Sequence, residues 1–125
     1  TATTEIYTLS LHDALPIWPH QTQENLTPIY HKRVVFVAWL NAGVRAVDIR
    51  DPYNPKEIGH YVPATNQHTI PSCYKHGGKS QCKVAIVTNN VEVDDRGYAY
   101  MTDRAHTGLH IIELTGSARA VANFK

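Results

Sequence analysis

The chain has 125 residues, of which 42% are hydrophobic, and it carries 12 Lys and Arg against 11 Asp and Glu. That length corresponds to one domain or to a piece of one. The near balance of charge, without a basic stripe or a run of like charge, predicts no nucleic-acid partner. The most apolar stretch, residues 34–40, is too short to span a bilayer, so no transmembrane segment is expected.

The first segment of the chain, residues 1–17, reads TATTEIYTLSLHDALPI. It resembles, codon for codon, the in-frame translation of a widely used short-read sequencing adapter. Added segments are set aside before a fold is considered. We therefore predict that these residues are not native, that His12 and Asp13 have no function, and that residues 18–125 are the later part of a longer chain. Residues 18–125 carry all 12 basic residues but only nine of the acidic ones, which is a mild positive charge.

The chain contains an internal repeat. Residues 34–49 read VVFVAWLNAGVRAVDI, and residues 99–114 read AYMTDRAHTGLHIIEL, with Gly43 aligned on Gly108 at an offset of 65 residues. Each copy has an apolar run, a short polar turn, a glycine suited to a positive φ, and a second strand. The repeat therefore predicts two β-hairpins, near residues 34–49 and 99–114.

Further strands are predicted beside each hairpin. Residues 56–62 follow a turn at Asp51-Pro52, residues 89–93 precede the second hairpin, and residues 118–124 are predicted as a last strand. No window shows helical periodicity over three turns. Four short antiparallel strands per unit are typical of a β-propeller blade. The predicted fold is all-β, a partial β-propeller of about two four-stranded antiparallel blades.

The offset between the two copies exceeds one blade, and residues 65–83 are predicted to be an insertion. This stretch contains Cys73 and Cys82, in CYKHGGKSQC. The spacing does not fit a CxxC metal site, and it favours a local disulfide over two unpaired thiols. Closing such a loop stabilises the fold by roughly 2.5–3 kcal/mol in the chain-entropy model. A disulfide indicates an oxidising compartment, so a secreted, periplasmic or cell-envelope location is expected.

The segment GVRAVDIRDPYNPKEIG resembles the LVIVD repeat of bacterial β-propeller proteins. The residues that fit are Gly43, Val44, Val47, Asp48, Ile49, Asp51 and Pro52 in the first copy, and Gly108, Leu109, Ile111, Ile112, Glu113 and Leu114 in the second. The resemblance implies a secreted or envelope-attached propeller. We expect a non-catalytic binding or scaffold module of this type, without a cofactor, that binds a protein or small-molecule ligand.

A second resemblance supports an alternative function. NNVEVDDRGYAYMTD, residues 89–103, is similar to an inner strand of calcium-dependent lactonase-type and NHL-type propellers. By position, Asn90 and Asp103 would bind calcium or another divalent cation, because hard cations take amide and carboxylate oxygens. Such an ion would polarise an ester carbonyl and activate water, as in a metal-dependent hydrolase with a central-channel site. Val91 stands where that pattern has glycine, and Asp-Asp-x-Gly is also a common structural turn.

A third function, a His-liganded oxidoreductase similar to the selenium-binding and methanethiol-oxidase propellers, requires several histidines to converge. Strand alternation places His110 on the face opposite to Ile111, and His106 lies across the predicted Gly108 turn. The pattern favours solvated loop histidines over a metal site. The histidines considered are His60, His68, His76, His106 and His110.

The alignment of the two repeat copies also brings acidic residues to equivalent positions. The alignment places Val44 on Leu109 and Asp48 on Glu113. An acid that recurs at the same strand end indicates a structural role in a turn more than catalysis. No GxSxG motif or phosphate-binding glycine loop is present in the sequence.

Three aromatic residues, Trp39, Tyr53 and Tyr61, are candidates for a ligand surface or for packing between blades. Large aromatic side chains bury the most area when they pack. The sequence therefore favours packing for all three.

Overall fold

The structure is a computed structural model that describes residues 19–24 and 27–124, and the adapter-like residues 1–17 lie outside this range. Within the described residues, nine strands and one short helix are found. The strands are β1 (Pro19–Thr22), β2 (Val34–Trp39), β3 (Gly43–Asp48), β4 (Lys56–Tyr61), β5 (Pro71–His76), β6 (Lys79–Val84), β7 (Thr88–Val93), β8 (Tyr98–Asp103) and β9 (Leu109–Glu113), and the helix is α1 (Gly116–Val121).

The first sheet has four antiparallel strands in the order β1-β2-β3-β4. Strand β2 alternates between buried and half-buried residues, and its buried side chains are Val34, Phe36 and Ala38. This is the pattern expected when successive side chains point to opposite faces. The turn between β2 and β3 closes with a hydrogen bond from the Ala42 amide to the Trp39 carbonyl, at 3.0 Å.

The third sheet has three antiparallel strands in the order β7-β8-β9. Val91, Ala99 and Met101 are fully buried on one of its faces. The predicted β-rich, antiparallel architecture is therefore confirmed, whereas the described residues do not show a closed ring.

The prediction of a strand at residues 118–124 is wrong, because α1 occupies most of this segment. Ala118 and Val121 are buried three positions apart, which suits a helical face rather than a strand. Helix α1 packs against β3 and β4, and the Ala118 methyl group comes close to Gly59. The third sheet consequently has three strands, and the segment predicted as its fourth strand is instead a helix on the first sheet.

The predicted insertion, residues 65–83, contains most of a hairpin of its own, formed by β5 and β6. Cys73 and Cys82 lie directly opposite each other on the two strands and form the predicted disulfide, which is confirmed. Gly77 and Gly78 make the two-residue turn. We call residues 71–84 the cysteine hairpin. Every residue of β6 is exposed, so this hairpin protrudes from the body.

The core lies between the first and third sheets, where β7 packs against β1, β2 and β3. Tyr30 lies over this core, edge-on to Phe36 at 5.1 Å between ring centroids, and its hydroxyl donates to the Asp94 carbonyl at 3.0 Å. Burial raises the pKa of Tyr30 to about 12, with a smaller contribution from the nearby Asp94 carboxylate. The largest buried side chains here are Tyr30, Phe36, Met101, Val34 and Val91.

The two main hairpins differ in register by one residue. Phe36 lies opposite Ala46 across β2 and β3, whereas Met101 lies opposite His110 across β8 and β9. A constant offset of 65 residues would have placed Ile111 at that position instead. The turns explain the difference, because three residues connect β2 to β3 and five connect β8 to β9.

This shift has a consequence for burial. A register change of one residue moves every side chain of a strand to the other face. Val44 is 2% exposed in the core, while its sequence counterpart Leu109 is 62% exposed. The repeat therefore predicts the strands but not which of their faces is buried.

Packing was predicted for three aromatic residues, and two of them are at least half-buried. Tyr61 packs against the core, and Trp39 is half-buried at the end of β2. Tyr53 is 97% exposed because it lies in the turn between β3 and β4, so packing is the wrong prediction for that residue. No helix among the described residues is long and apolar enough to cross a membrane.

Candidate functional site

Asp103 ends β8 and organises the turn that follows it. Its Oδ1 accepts hydrogen bonds from the backbone amides of Val87 and Ala105, both at 2.8 Å. Its Oδ2 accepts a hydrogen bond from the Thr107 hydroxyl. Both carboxylate oxygens are therefore engaged in holding the turn and in tying β8 to the segment before β7.

Asn90 lies on β7 opposite Thr102, next to an irregularity between Thr88 and Asn90. Its Oδ1 accepts a hydrogen bond from the side-chain amide of Asn89. Asn90 shares a sheet face with Thr102, and Asp103 is the next residue along β8, so Asp103 lies on the opposite face. Strand alternation thus places the two side chains on opposite sides of the sheet, and no hydrogen bond joins them among the described residues. Among the described residues, no group of three or more His, Cys, Asp and Glu side chains is arranged to hold a metal ion.

A polar network that the sequence did not indicate links the two packed sheets. His110 Nε2 lies 3.0 Å from the Thr107 hydroxyl oxygen, and His110 Nδ1 lies 3.3 Å from the Tyr61 hydroxyl. Because the Thr107 hydroxyl donates to Asp103, it must accept from His110 Nε2–H. The other ring nitrogen, Nδ1, faces the Tyr61 hydroxyl. The network therefore fixes the orientation of the His110 ring on β9 relative to Tyr61 at the end of β4.

His110 lies on β9, as the predicted hairpin indicates, but the expectation of a solvated side chain is wrong, because it is half-buried and both ring nitrogens are engaged. The strand alternation that set His110 apart from Ile111 was the available signal, since Ile111 is 59% exposed and His110 is half-buried. Its partner Tyr61 is 49 residues away in the sequence, and no local pattern marks that contact.

The other histidines do not join this network. His60 Nδ1 lies 3.3 Å from Glu57, His68 is hydrogen-bonded to its neighbour Gln67, and His106 is exposed with a φ of 66°. The side chain of His76 lies outside the part of the chain that the structure describes. The described histidines are therefore dispersed rather than gathered at one centre.

A groove of about 270 Å³ opens beside the network, between β4 and the segment that joins β9 to α1. Phe36, Val44 and Ala118 form part of its apolar floor, and Tyr61 and Glu113 bring polar groups to its wall. The groove is smaller than the usual small-molecule site, which is about 300–1,000 Å³. The groove exposes the edge of the core beside Tyr61 to solvent.

The repeated acids Asp48 and Glu113 have different surroundings. Asp48 accepts hydrogen bonds from the side chain and the backbone amide of Arg50, and these bonds lower the pKa of Asp48. Asp51 and Pro52 follow in the same turn, where Asp51 accepts from the Tyr53 amide. Glu113 is exposed and lies 3.9 Å from an Arg119 nitrogen. Asp48 thus orders a turn, while Glu113 makes a solvated ion pair.

Asp94 is the centre of the turn between β7 and β8. Its carboxylate accepts hydrogen bonds from the backbone amides of Arg96 and Tyr98, from the Arg96 guanidinium and from the Tyr100 hydroxyl, at 2.8–3.0 Å. Burial by itself would raise the pKa of Asp94, but the bonds from Tyr98, Arg96 and Tyr100 together outweigh it and lower the pKa to about 2. The charged form therefore holds this turn.

This environment predicts a pH-dependent contribution to stability. The pKa of Asp94 is depressed from 3.8 to about 2 on folding, so its stabilising effect is complete above the unfolded value and is lost as the pH falls towards 2. We expect Asp94→Asn to lower the urea midpoint at neutral pH. The difference from the wild type should shrink as the pH is lowered from about 5 to about 2.

The matched control for this experiment is Asp95→Asn. Asp95 is exposed in the same turn, and its side chain accepts no hydrogen bond from any described residue. A difference between Asp94→Asn and the wild type that stays constant from pH 5 to pH 2 would contradict the assignment.

No protein-family profile, no curated protein and no solved structure matches this chain. The functional conclusion therefore depends on the sequence resemblances and on the geometry described above.

Proposed function

We propose that this chain is a non-catalytic binding or scaffold module, built as two adjacent blades of a β-propeller similar to the LVIVD-repeat proteins. The observation that supports it most is the shared core of two antiparallel sheets, with β7 of the third sheet packed against β1, β2 and β3 of the first. Neighbouring propeller blades pack through the faces of their sheets around a central channel, and β7 would be an inner strand.

The outer face of the third sheet supports the same proposal. Leu109 and Ile111 are 62% and 59% exposed there. They are flanked on β8 by Tyr100 and Thr102, which are their cross-strand partners. Exposed apolar side chains gathered on one sheet face are typical of a protein interface. In a propeller, a further blade would cover this face.

A binding role is favoured over hydrolysis because the candidate ligands have structural partners. The carboxylate of Asp103 already accepts three hydrogen bonds, and Asn90 lies on the other face of the sheet. A carboxylate has about four acceptor sites, so an ion bound to Asp103 would compete with the bonds that hold this turn. The exposed cysteine hairpin, by contrast, is a rigid element that presents its side chains to solvent. The disulfide supports a secreted, periplasmic or cell-envelope location.

Titration with divalent cations distinguishes the two functions. We expect calcium, magnesium and zinc at millimolar concentration to leave the melting temperature of the full chain unchanged, because no site is pre-formed around Asn90 and Asp103. A cation present at a free concentration 100 times its Kd would stabilise the fold by about 2.7 kcal/mol. For a chain of this size, that would raise the melting temperature by several degrees. Asn90→Ala should behave as the wild type does.

The matched control is Asn54→Ala, which removes an exposed asparagine in the turn between β3 and β4. A calcium-dependent rise in melting temperature that disappears in Asn90→Ala and persists in Asn54→Ala would overturn the scaffold proposal in favour of the metal-dependent hydrolase.

A further inference from the structure

Charge is segregated on the cysteine hairpin. Between Glu57 and Glu92 the sequence contains no acidic residue, and the three basic residues in that interval are Lys75, Lys79 and Lys83. All three are exposed on the hairpin, and none forms an ion pair with a described residue. Four arginines elsewhere pair with acids, namely Arg45 with Glu57, Arg50 with Asp48, Arg96 with Asp94 and Arg119 with Glu113. The hairpin therefore carries three positive charges that the described chain does not neutralise.

One face of the hairpin combines two of these charges, those of Lys79 and Lys83, with an aromatic ring, while Lys75 lies on the opposite face. Tyr74 lies opposite Gln81 and Ser72 lies opposite Lys83, so these side chains share a face with Lys79, which is two residues from Gln81 on β6. The Tyr74 hydroxyl donates to Gln81 Oε1 at 2.9 Å, which holds the ring across the two strands. Lys79 and Lys83 are four residues apart, about 13 Å along an extended strand. The ring thus lies between two spaced cations.

The same face continues into a cleft of about 350 Å³ at the base of the hairpin. Ser72 and Tyr74 line it on the hairpin side, and Arg104 and Asn41 line it on the body side, with no acidic residue among the lining side chains. The Arg104 side chain is exposed and forms no ion pair within the described residues. The cleft extends the positive surface from the tip of the hairpin to the body.

We propose that this surface, the Tyr74 face of the cysteine hairpin together with the Arg104 cleft, binds an acidic polysaccharide. Carboxylate or sulfate groups along such a polymer would pair with Lys79, Lys83 and Arg104. The apolar face of a sugar ring would lie on the Tyr74 ring, and the Ser72 hydroxyl would bond to sugar hydroxyls. The proposal rests on the binding role proposed above and names its ligand.

Two other polyanions fit this surface less well. Single-stranded nucleic acid is bound by several aromatic side chains on which successive bases stack, and this face has a single ring. Acidic peptide motifs are typically bound by clusters of arginines, whereas this surface has one arginine, Arg104, and two spaced lysines. Spaced charges around one ring favour a sugar polymer.

The test measures binding of the full chain to heparin as a sulfated probe and to polygalacturonate as a carboxylated probe, with neutral dextran for comparison. We expect binding to at least one acidic polymer, weakening as salt is raised, and no binding to dextran. The probe that binds more tightly identifies the anionic group. Lys79→Gln/Lys83→Gln should weaken binding about tenfold or more, and Tyr74→Ala should weaken it while Tyr74→Phe retains it.

The charge-matched control is Lys32→Gln/Lys56→Gln, which removes two exposed lysines from the body. Equal losses in the two double variants, binding of poly-glutamate or single-stranded DNA as tight as that of the polysaccharide, or no binding to either acidic polymer would each overturn the proposal. These outcomes leave the cation titration unaffected, so failure of the ligand assignment is distinguishable from failure of the scaffold proposal. Circular dichroism and thermal melts confirm that each variant is folded.

Discussion

Replacing Gly43 by alanine is expected to destabilise the protein by about 2–5 kcal/mol. Gly43 begins β3 with a φ of 72°, a left-handed conformation that costs an alanine about 1–2 kcal/mol. A Cβ atom at this position would lie 2.0 Å from the Tyr61 carbonyl oxygen, so β4 would have to move. Overpacking of this kind costs roughly 1–3 kcal/mol more. Thermal unfolding should show a fall in melting temperature of more than about 10 °C.

The chain provides a matched control in Gly108, the counterpart of Gly43 in the repeat. Its φ is also positive, at 111°, but a Cβ atom there would have no neighbour within 4 Å. Gly108→Ala should therefore cost only the backbone strain, about 1–2 kcal/mol. Equal losses for the two substitutions would show that the close approach between β3 and β4 is not what requires glycine at position 43.

Truncating Phe36 to alanine is expected to cost about 3–5 kcal/mol, the range for a large aromatic side chain in a core. Phe36 is 2% exposed, lies in the middle of β2 and packs edge-on against Tyr30. Its removal leaves a cavity where the first and third sheets meet. Urea denaturation should report this loss as a lower midpoint, and the remaining tryptophan and tyrosine signals provide the probe.

Tyr53→Ala is the control for aromatic content, since Tyr53 is 97% exposed. A surface change of this kind should alter stability by no more than about 0.5 kcal/mol. A Phe36→Ala variant as stable as Tyr53→Ala would contradict the position of the core between the two sheets.

Local patterns predicted the β architecture because strand periodicity depends on neighbouring residues alone. The alternation at residues 34–39 predicts a half-buried strand, and β2 has that pattern. The disulfide was predictable for a similar reason. Cys73 and Cys82 are nine residues apart with two glycines between them, and a hairpin brings such residues opposite each other.

The sequence was less informative about the candidate site. Its resemblance to a propeller inner strand singled out Asn90 and Asp103, but which face each occupies depends on the irregularity in β7 and on strand alternation. It did not indicate the contact of His110 with Tyr61, because these residues come from different sheets. Contacts between distant segments are set by how the sheets pack.

By itself, then, the sequence determined the two repeated hairpins, the neighbouring strands β4 and β7, and the cysteine pair, all of which follow from interactions within a few residues. It did not indicate β1 or the strands β5 and β6. Only the tertiary structure decided that residues 116–121 form a helix and which face of β9 is buried. A six-residue helix is too short to be stable alone, and α1 forms because Ala118 and Val121 are buried, with the helix packed on β3 and β4. The register of β9 follows from the longer turn before it, and that one-residue shift decides that His110 faces the core side while Leu109 faces outward.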